Sequence, residues 1–156
     1  LYRISRNEMM ATSLQTEKTM PLIQITLSGP AATPGSIQHL QQETTRLMQT
    51  ILHKEAALTV VSVAQLPAGA STANGQAVAV SAAMQALITA GTNSAAEKTD
   101  FIFAAKSLLT AAIGPVAAPI YVALHELPAD SWGYDGETQA ARKVRRELAE
   151  ASGGVA

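Results

Sequence analysis

The chain reads as strand, helix, strand, and then as the same order again. Both passes close on one tripeptide, Leu66-Pro67-Ala68 and Leu127-Pro128-Ala129. Gly29 after the first strand matches Gly91 after the third, and a capped helix follows each. Such a duplicated β-α-β unit admits few folds. Each copy needs a right-handed crossover between parallel strands. Two copies combine most simply as a four-stranded mixed sheet with two helices on one face, an α+β architecture.

The elements follow from local chemistry. Leu22 to Leu27 is strand-like and is closed by Ser28-Gly29-Pro30. A helix is expected from Pro34 to His53. Thr33 can cap it, and proline suits the first helical position because its missing N–H would have been unpaired anyway. Ile37, Leu40, Leu47, Met48, Ile51 and Leu52 make one helical face. A β-branched strand spans Leu58 to Val63, a small-residue loop Ala70 to Gly75, and a long strand Val78 to Thr89. Ser94 and Glu97 form a capping-box pair for a second helix. That helix is expected to bury Phe101, Ala104, Ala105, Leu108 and Ala112 and to stop at Gly114-Pro115. Ile120 to Leu124 is the fourth strand. Thr138 to Glu150 reads as a short helix with an Ala141, Val144, Leu148 stripe, and Ser152-Gly153-Gly154 as a tail. The sheet face opposite the helices is expected to be apolar and therefore to need a partner, which predicts a homo-oligomer.

Composition narrows the function. The 156 residues suffice for one domain and carry a net charge of −1. No basic stripe or zinc-finger spacing is present, so nucleic acid is not an expected partner. There is no cysteine, which excludes disulfides and thiolate catalysis. No apolar run reaches the ~18 residues of a membrane span, and Leu1 to Thr19 lacks the apolar core of a secretory signal. A cytoplasmic soluble protein is expected. His39, His53 and His125 lack ligand spacing, so no metal is expected. His125 and Glu126, as strand neighbours, point to opposite faces and cannot act as an acid/base pair.

Pro21 is the residue with the most chemical consequence. It follows Met20, and a methionine before a small residue is often a start that is trimmed. If the mature chain begins at Pro21, its nitrogen is a secondary amine, and an α-amino group titrates at about 7.7–8.0. With residues 1–20 attached as a leader or non-native extension, that nitrogen is an amide with no basicity. The remainder, residues 21–156, is read as one domain of two repeats, 21–70 and 77–136, plus the last helix.

Two stretches carry a family resemblance. Pro21-Leu22-Ile23-Gln24-Ile25-Thr26-Leu27 resembles the amino-terminal strand of the tautomerase superfamily, whose best-known member is 4-oxalocrotonate tautomerase. His125-Glu126-Leu127-Pro128-Ala129-Asp130-Ser131-Trp132-Gly133-Tyr134-Asp135-Gly136 resembles the turn and hairpin after the family's last strand. Ala141-Arg142-Lys143-Val144-Arg145-Arg146 resembles the short family's tail. The length is similar to that of the fused two-repeat branch, which includes malonate semialdehyde decarboxylase and cis-3-chloroacrylic acid dehalogenase.

The resemblance implies a homotrimer, no cofactor, and proton transfer by Pro21 on a small keto/enol acid. It also implies that Trp132 closes the pocket and keeps the amine dry, and Tyr121 is a candidate to donate a hydrogen bond to a substrate oxygen. The family's carboxylate-binding arginines have no match here: Gly29-Pro30-Ala31-Ala32, Gly91-Thr92-Asn93, and the positions near Thr59 and Tyr121 hold none. Arg46, Arg142, Arg145 and Arg146 are read as solvated helix faces, and Gly133 and Gly136 as hairpin turn residues. Two alternatives stay open. One is a catalytically silent trimeric binding or structural protein on the same scaffold. The other is a hydratase or decarboxylase, for which Glu43, Glu97 and Asp100 offer no convincing water-activating carboxylate.

Overall fold

The computed structural model describes residues 19–154. The leader expected over residues 1–20 lies outside them except for Thr19 and Met20. The elements run β1 (Leu22–Ser28), α1 (Pro34–Thr50), a 3-10 turn (Ala56–Leu58), β2 (Val60–Leu66), β3 (Thr72–Ala73), β4 (Gln76–Ala77), β5 (Ser81–Thr89), α2 (Ala95–Ile113), β6 (Tyr121–Leu127), β7 (Gly133–Tyr134), β8 (Glu137–Thr138) and α3 (Gln139–Gly153).

The main sheet has the order β2-β1-β5-β6. β1 is parallel to β2, β5 is parallel to β6, and the two units meet antiparallel at β1 and β5. This is the expected mixed sheet. The repeat is strict: Pro34 and Ala95 open the helices, Val60 and Tyr121 the outer strands, Thr72 and Gly133 the hairpins, each pair at one constant offset.

The core lies between one sheet face and the two helices. Ile23, Ile25 and Leu27 of β1 alternate inward with Met84, Ala86 and Ile88 of β5. They pack against Leu40, Leu47, Met48 and Leu52 on one side and Phe101, Ala105 and Leu109 on the other. Thr33 caps α1 by accepting from the Ser36 N–H, and Ser94 with Glu97 completes the capping box of α2.

Several boundaries differ from the sequence reading, each for a local reason. α1 ends at Thr50, three residues early, because His53 turns left-handed (φ 57°) and sends the Lys54 N–H back to the Met48 carbonyl at 3.0 Å. β2 starts two residues late, after the 3-10 turn, and β6 continues to Leu127. The expected small-residue loop is a hairpin, β3-β4, turning on Asn74 (φ 50°) and Gly75 (φ 69°), so β5 begins at Ser81. On α2, Leu109 is buried and Ala112 is exposed, which rotates the inward face by less than one turn. α3 runs on through Ser152 and Gly153, and its Val144 and Leu148 are exposed.

The face opposite the helices is mixed rather than apolar. Leu22, Val60, Leu87 and Tyr121 lie on it, but Gln24, Ser62 and Gln85 form a polar row across its middle. His125 sits on this face, 3.1 Å from Gln85 Oε1, whereas Glu126 faces α2 and accepts from Lys98 Nζ at 2.9 Å. The two neighbours therefore point apart. Among the described residues, no helix is long and apolar enough to cross a membrane.

Candidate active site at the Pro21 end of the sheet

Pro21 precedes β1, and its side chain is fully buried. A proline fits there because the strand's first position needs no ladder N–H. Its carbonyl still accepts from Val60 N at 3.3 Å, which ties it to β2. The register pairs Leu22 with Leu87, so the end of β5, with Thr89, lies beside Met20 and Pro21.

Four further side chains close this end. Lys54, delivered by the left-handed turn after α1, is only 3% exposed. Its ammonium donates to Thr92 Oγ1 at 2.8 Å and to the buried Thr19 hydroxyl at 3.1 Å. Thr92 passes its own proton to the Thr89 carbonyl at 2.7 Å. Trp132, held by the hairpin β7-β8, is half-buried and donates from Nε1 to Thr89 Oγ1 at 3.3 Å. The hairpin's tight crossing needs glycine at 133, where a Cβ would collide with the Glu137 carbonyl. Pro21 and Trp132 thus share one end of the sheet. Tyr121 does not join them within the protomer: it pairs with Ala83, toward the other end, and is 73% exposed.

Lys54 is the residue that sequence reading missed. In His53-Lys54-Glu55 it reads as an ordinary polar loop residue, and only the left-handed turn carries it inward. It supplies a cation where the arginines are lacking. Buried ammonium groups are rare unless well solvated by neighbours, and the Thr19 and Thr92 hydroxyls are among those neighbours here. Glu97 lies close enough for Lys54 to act on it electrostatically. The Asn93 amide and the Ser94 N–H, donating to Glu97 at 2.9 and 3.0 Å, hold its carboxyl below its ordinary value, with smaller help from His53 and Lys54. Glu97 therefore stays ionised and bonded, a poor candidate for activating water.

The arginines divide. Arg46 pairs with Glu43 at 2.8 Å on the exposed face of α1, as expected. Arg142 is not a solvated residue: it lies 3.5 Å above the Tyr134 ring, donates to the Tyr134 carbonyl at 2.9 Å and braces the hairpin that carries Trp132. Arg145 binds Glu137 at 3.0 Å beside it.

Solved structures share this architecture. A wild-type fused 4-OT, described as a symmetric trimer, matches with a TM-score of 0.70 at 18% identity, over 78% of this chain and 98% of its own. A macrophage migration inhibitory factor-like protein from Entamoeba histolytica matches at 0.64 and 20% identity, over 76% and 97%. The chain has the tautomerase fold in its fused two-repeat form. Pt0534, a protein whose structure was determined after inactivation by 2-oxo-3-pentynoate, shares the tautomerase fold at a TM-score of 0.70 and 16% identity, over 78% and 98%. No protein-family model matches the sequence, and no curated protein matches it significantly.

Proposed function

We propose that this chain, once Pro21 is its amino-terminal residue, is a cytoplasmic homotrimeric tautomerase that moves a proton on a small keto/enol acid. The observation that carries the reading is the buried Pro21 with a buried cation, Lys54, and an indole, Trp132, at the same end of the sheet. A buried proline amine near a like charge loses its ammonium form more readily, so it is neutral and basic near pH 7. The neutral amine takes a proton from one atom of the enol system and returns it to another. Lys54 holds the substrate carboxylate and draws electron density toward it. The indole excludes water. One cation in place of several arginines suits a monocarboxylate better than a dicarboxylate. Trimeric assembly of fused 4-OT proteins supports three copies here, and in such an assembly Tyr121 of a neighbouring protomer is the candidate for a substrate hydrogen bond.

One observation favours the silent binding protein instead. Thr19 is buried and hydrogen-bonded to Lys54, so residues ahead of Pro21 occupy the space a substrate would use. Amino-terminal sequencing of protein made from its own gene separates the two readings. Proline as the first residue is expected. An intact Met20–Pro21 bond would end the catalytic reading. The trimmed protein is then assayed for enol-to-keto conversion, and Pro21→Ala is expected to abolish it. Equal rates would remove Pro21 from the mechanism.

A further inference from the structure

The internal repeat gives the Pro21 end a counterpart at the opposite end of the sheet. By the constant offset, Ser81 and Ala82 stand where Met20 and Pro21 stand, Ser28 where Thr89 stands, and Ser71 where Trp132 stands. The backbone is the same at both ends: Val78 N donates to Ser71 O at 3.0 Å, as Gln139 N does to Trp132 O. The side chains are not. A hydroxymethyl replaces an indole, and a cavity of about 400 Å³ lies there, its wall including Thr26, Ser71, Asn74, Ser81 and Tyr121. Its volume falls in the range of about 300–1,000 Å³ common for small-molecule sites.

Two lining hydroxyls, Ser71 and Ser81, are both held by the buried Ser28. Ser28, 3% exposed, donates to Ser71 Oγ at 3.1 Å and also bonds to Ser81 Oγ. A hydroxyl has one proton. Ser28 gives its proton to Ser71, so Ser81 must donate to Ser28, and the Ser71 proton is left for the cavity. The Asn74 amide adds donors and an acceptor, and the exposed Tyr121 ring offers an apolar wall. No lining residue carries a charge. A charged ligand would lose its hydration without a counter-charge, whereas a ligand with paired hydroxyls would find complementary partners. We propose that this cavity is a second, non-catalytic binding site for a small neutral polyol of monosaccharide or cyclitol size. No lysine, arginine, histidine or carboxylate lines it, and its one link to the Pro21 reading is Tyr121, which that reading gives to a neighbouring protomer.

The test is saturation-transfer NMR on the full chain with D-glucose and myo-inositol, and with gluconate as an anionic contrast of similar size. A neutral polyol is expected to bind with a Kd of about 1–10 mM. Ser71→Trp, which installs the residue found at the other end, and Tyr121→Ala should each weaken that binding by about tenfold or more. Tyr121 is exposed, so its variant carries the test if Ser71→Trp does not fold. Absence of saturable binding by either polyol, equal binding of gluconate, or undiminished binding in the folded variants would each overturn the assignment.

Discussion

Replacing Lys54 by methionine in the protein that begins at Pro21 isolates the electrostatic part of the mechanism. The Lys54 ammonium lies 3.1 Å from the Thr19 hydroxyl, and Thr19 is two residues from Pro21. Two residues span at most about 7 Å, and with the roughly 2.4 Å reach of the threonine hydroxyl from its Cα and the 3.1 Å hydrogen bond, the ammonium lies within about 12 Å of the proline nitrogen. At an effective dielectric constant of about 20, two like charges no farther apart than that repel by at least roughly 1.4 kcal/mol. At about 1.36 kcal/mol per pK unit, this depresses the proline pKa by roughly one to two units once solvent screening is allowed for. Proline acts as a base only when neutral, so Lys54→Met should raise the acid limb of the kcat/KM profile by about one to two pH units. Lys54→Arg keeps the charge and should leave the limb in place. KM for a carboxylate substrate should also rise in the methionine variant, because the cation that holds it is gone. The assay is the pH dependence of enol-to-keto conversion from pH 5 to 9 for the three proteins. A limb that stays within about 0.3 unit of the parent in Lys54→Met would refute the reasoning.

Other expectations concern the scaffold. The Thr44 hydroxyl is buried in α1 with no hydrogen-bond partner among the described residues, so Thr44→Val should stabilise the fold by about 1 kcal/mol in urea unfolding. A loss of stability would contradict it. Gly133→Ala forces the β7-β8 hairpin apart; the Trp132 emission should shift to the red while the far-ultraviolet spectrum is preserved, and unchanged emission would show that the hairpin tolerates a Cβ. The Glu97 carboxyl is held below its ordinary value in the folded state, so its contribution to stability is present above the unfolded value and is lost as pH falls through the folded one. The stability gap between the parent and Glu97→Gln should therefore be flat from pH 6 to 8 and should narrow below about pH 4.5; a gap that widens in acid would reverse the sign.

Most of the fold was legible because its signals are local and repeated. Apolar alternation in Ile23, Ile25 and Leu27, the caps at Thr33 and Ser94, and the stop at Gly114-Pro115 each act within a few residues. Asn74-Gly75 carries the turn signal of the first hairpin, but its flank is mostly alanine and serine, with Thr72 the one β-branched residue from Ala70 to Ala73, so no strand is announced. Helical spacing puts Ala112 inward, yet α2 is alanine-rich on several sides, so periodicity alone does not choose its face. Pro21 and Trp132 come forward through the resemblance of the first strand and the last hairpin to the tautomerase superfamily, and the fold puts both at one end of the sheet. Lys54 is not legible, because its burial depends on a left-handed histidine and on two threonines distant in sequence. The burial of Arg142 is not visible in the sequence for a related reason: its partner, the Tyr134 ring, lies on another element.

A fused pair of repeats shares a single amino terminus. Whatever likeness the two halves keep in backbone, the second begins inside the polypeptide, where Ala82 follows Ser81 through a peptide bond. An assembly of such chains can therefore carry at most one terminal amine per molecule, half the number available to the same scaffold built from separate copies. Under the proposed proton transfer by Pro21, the second half carries no such demand, and its side chains are free to serve another use.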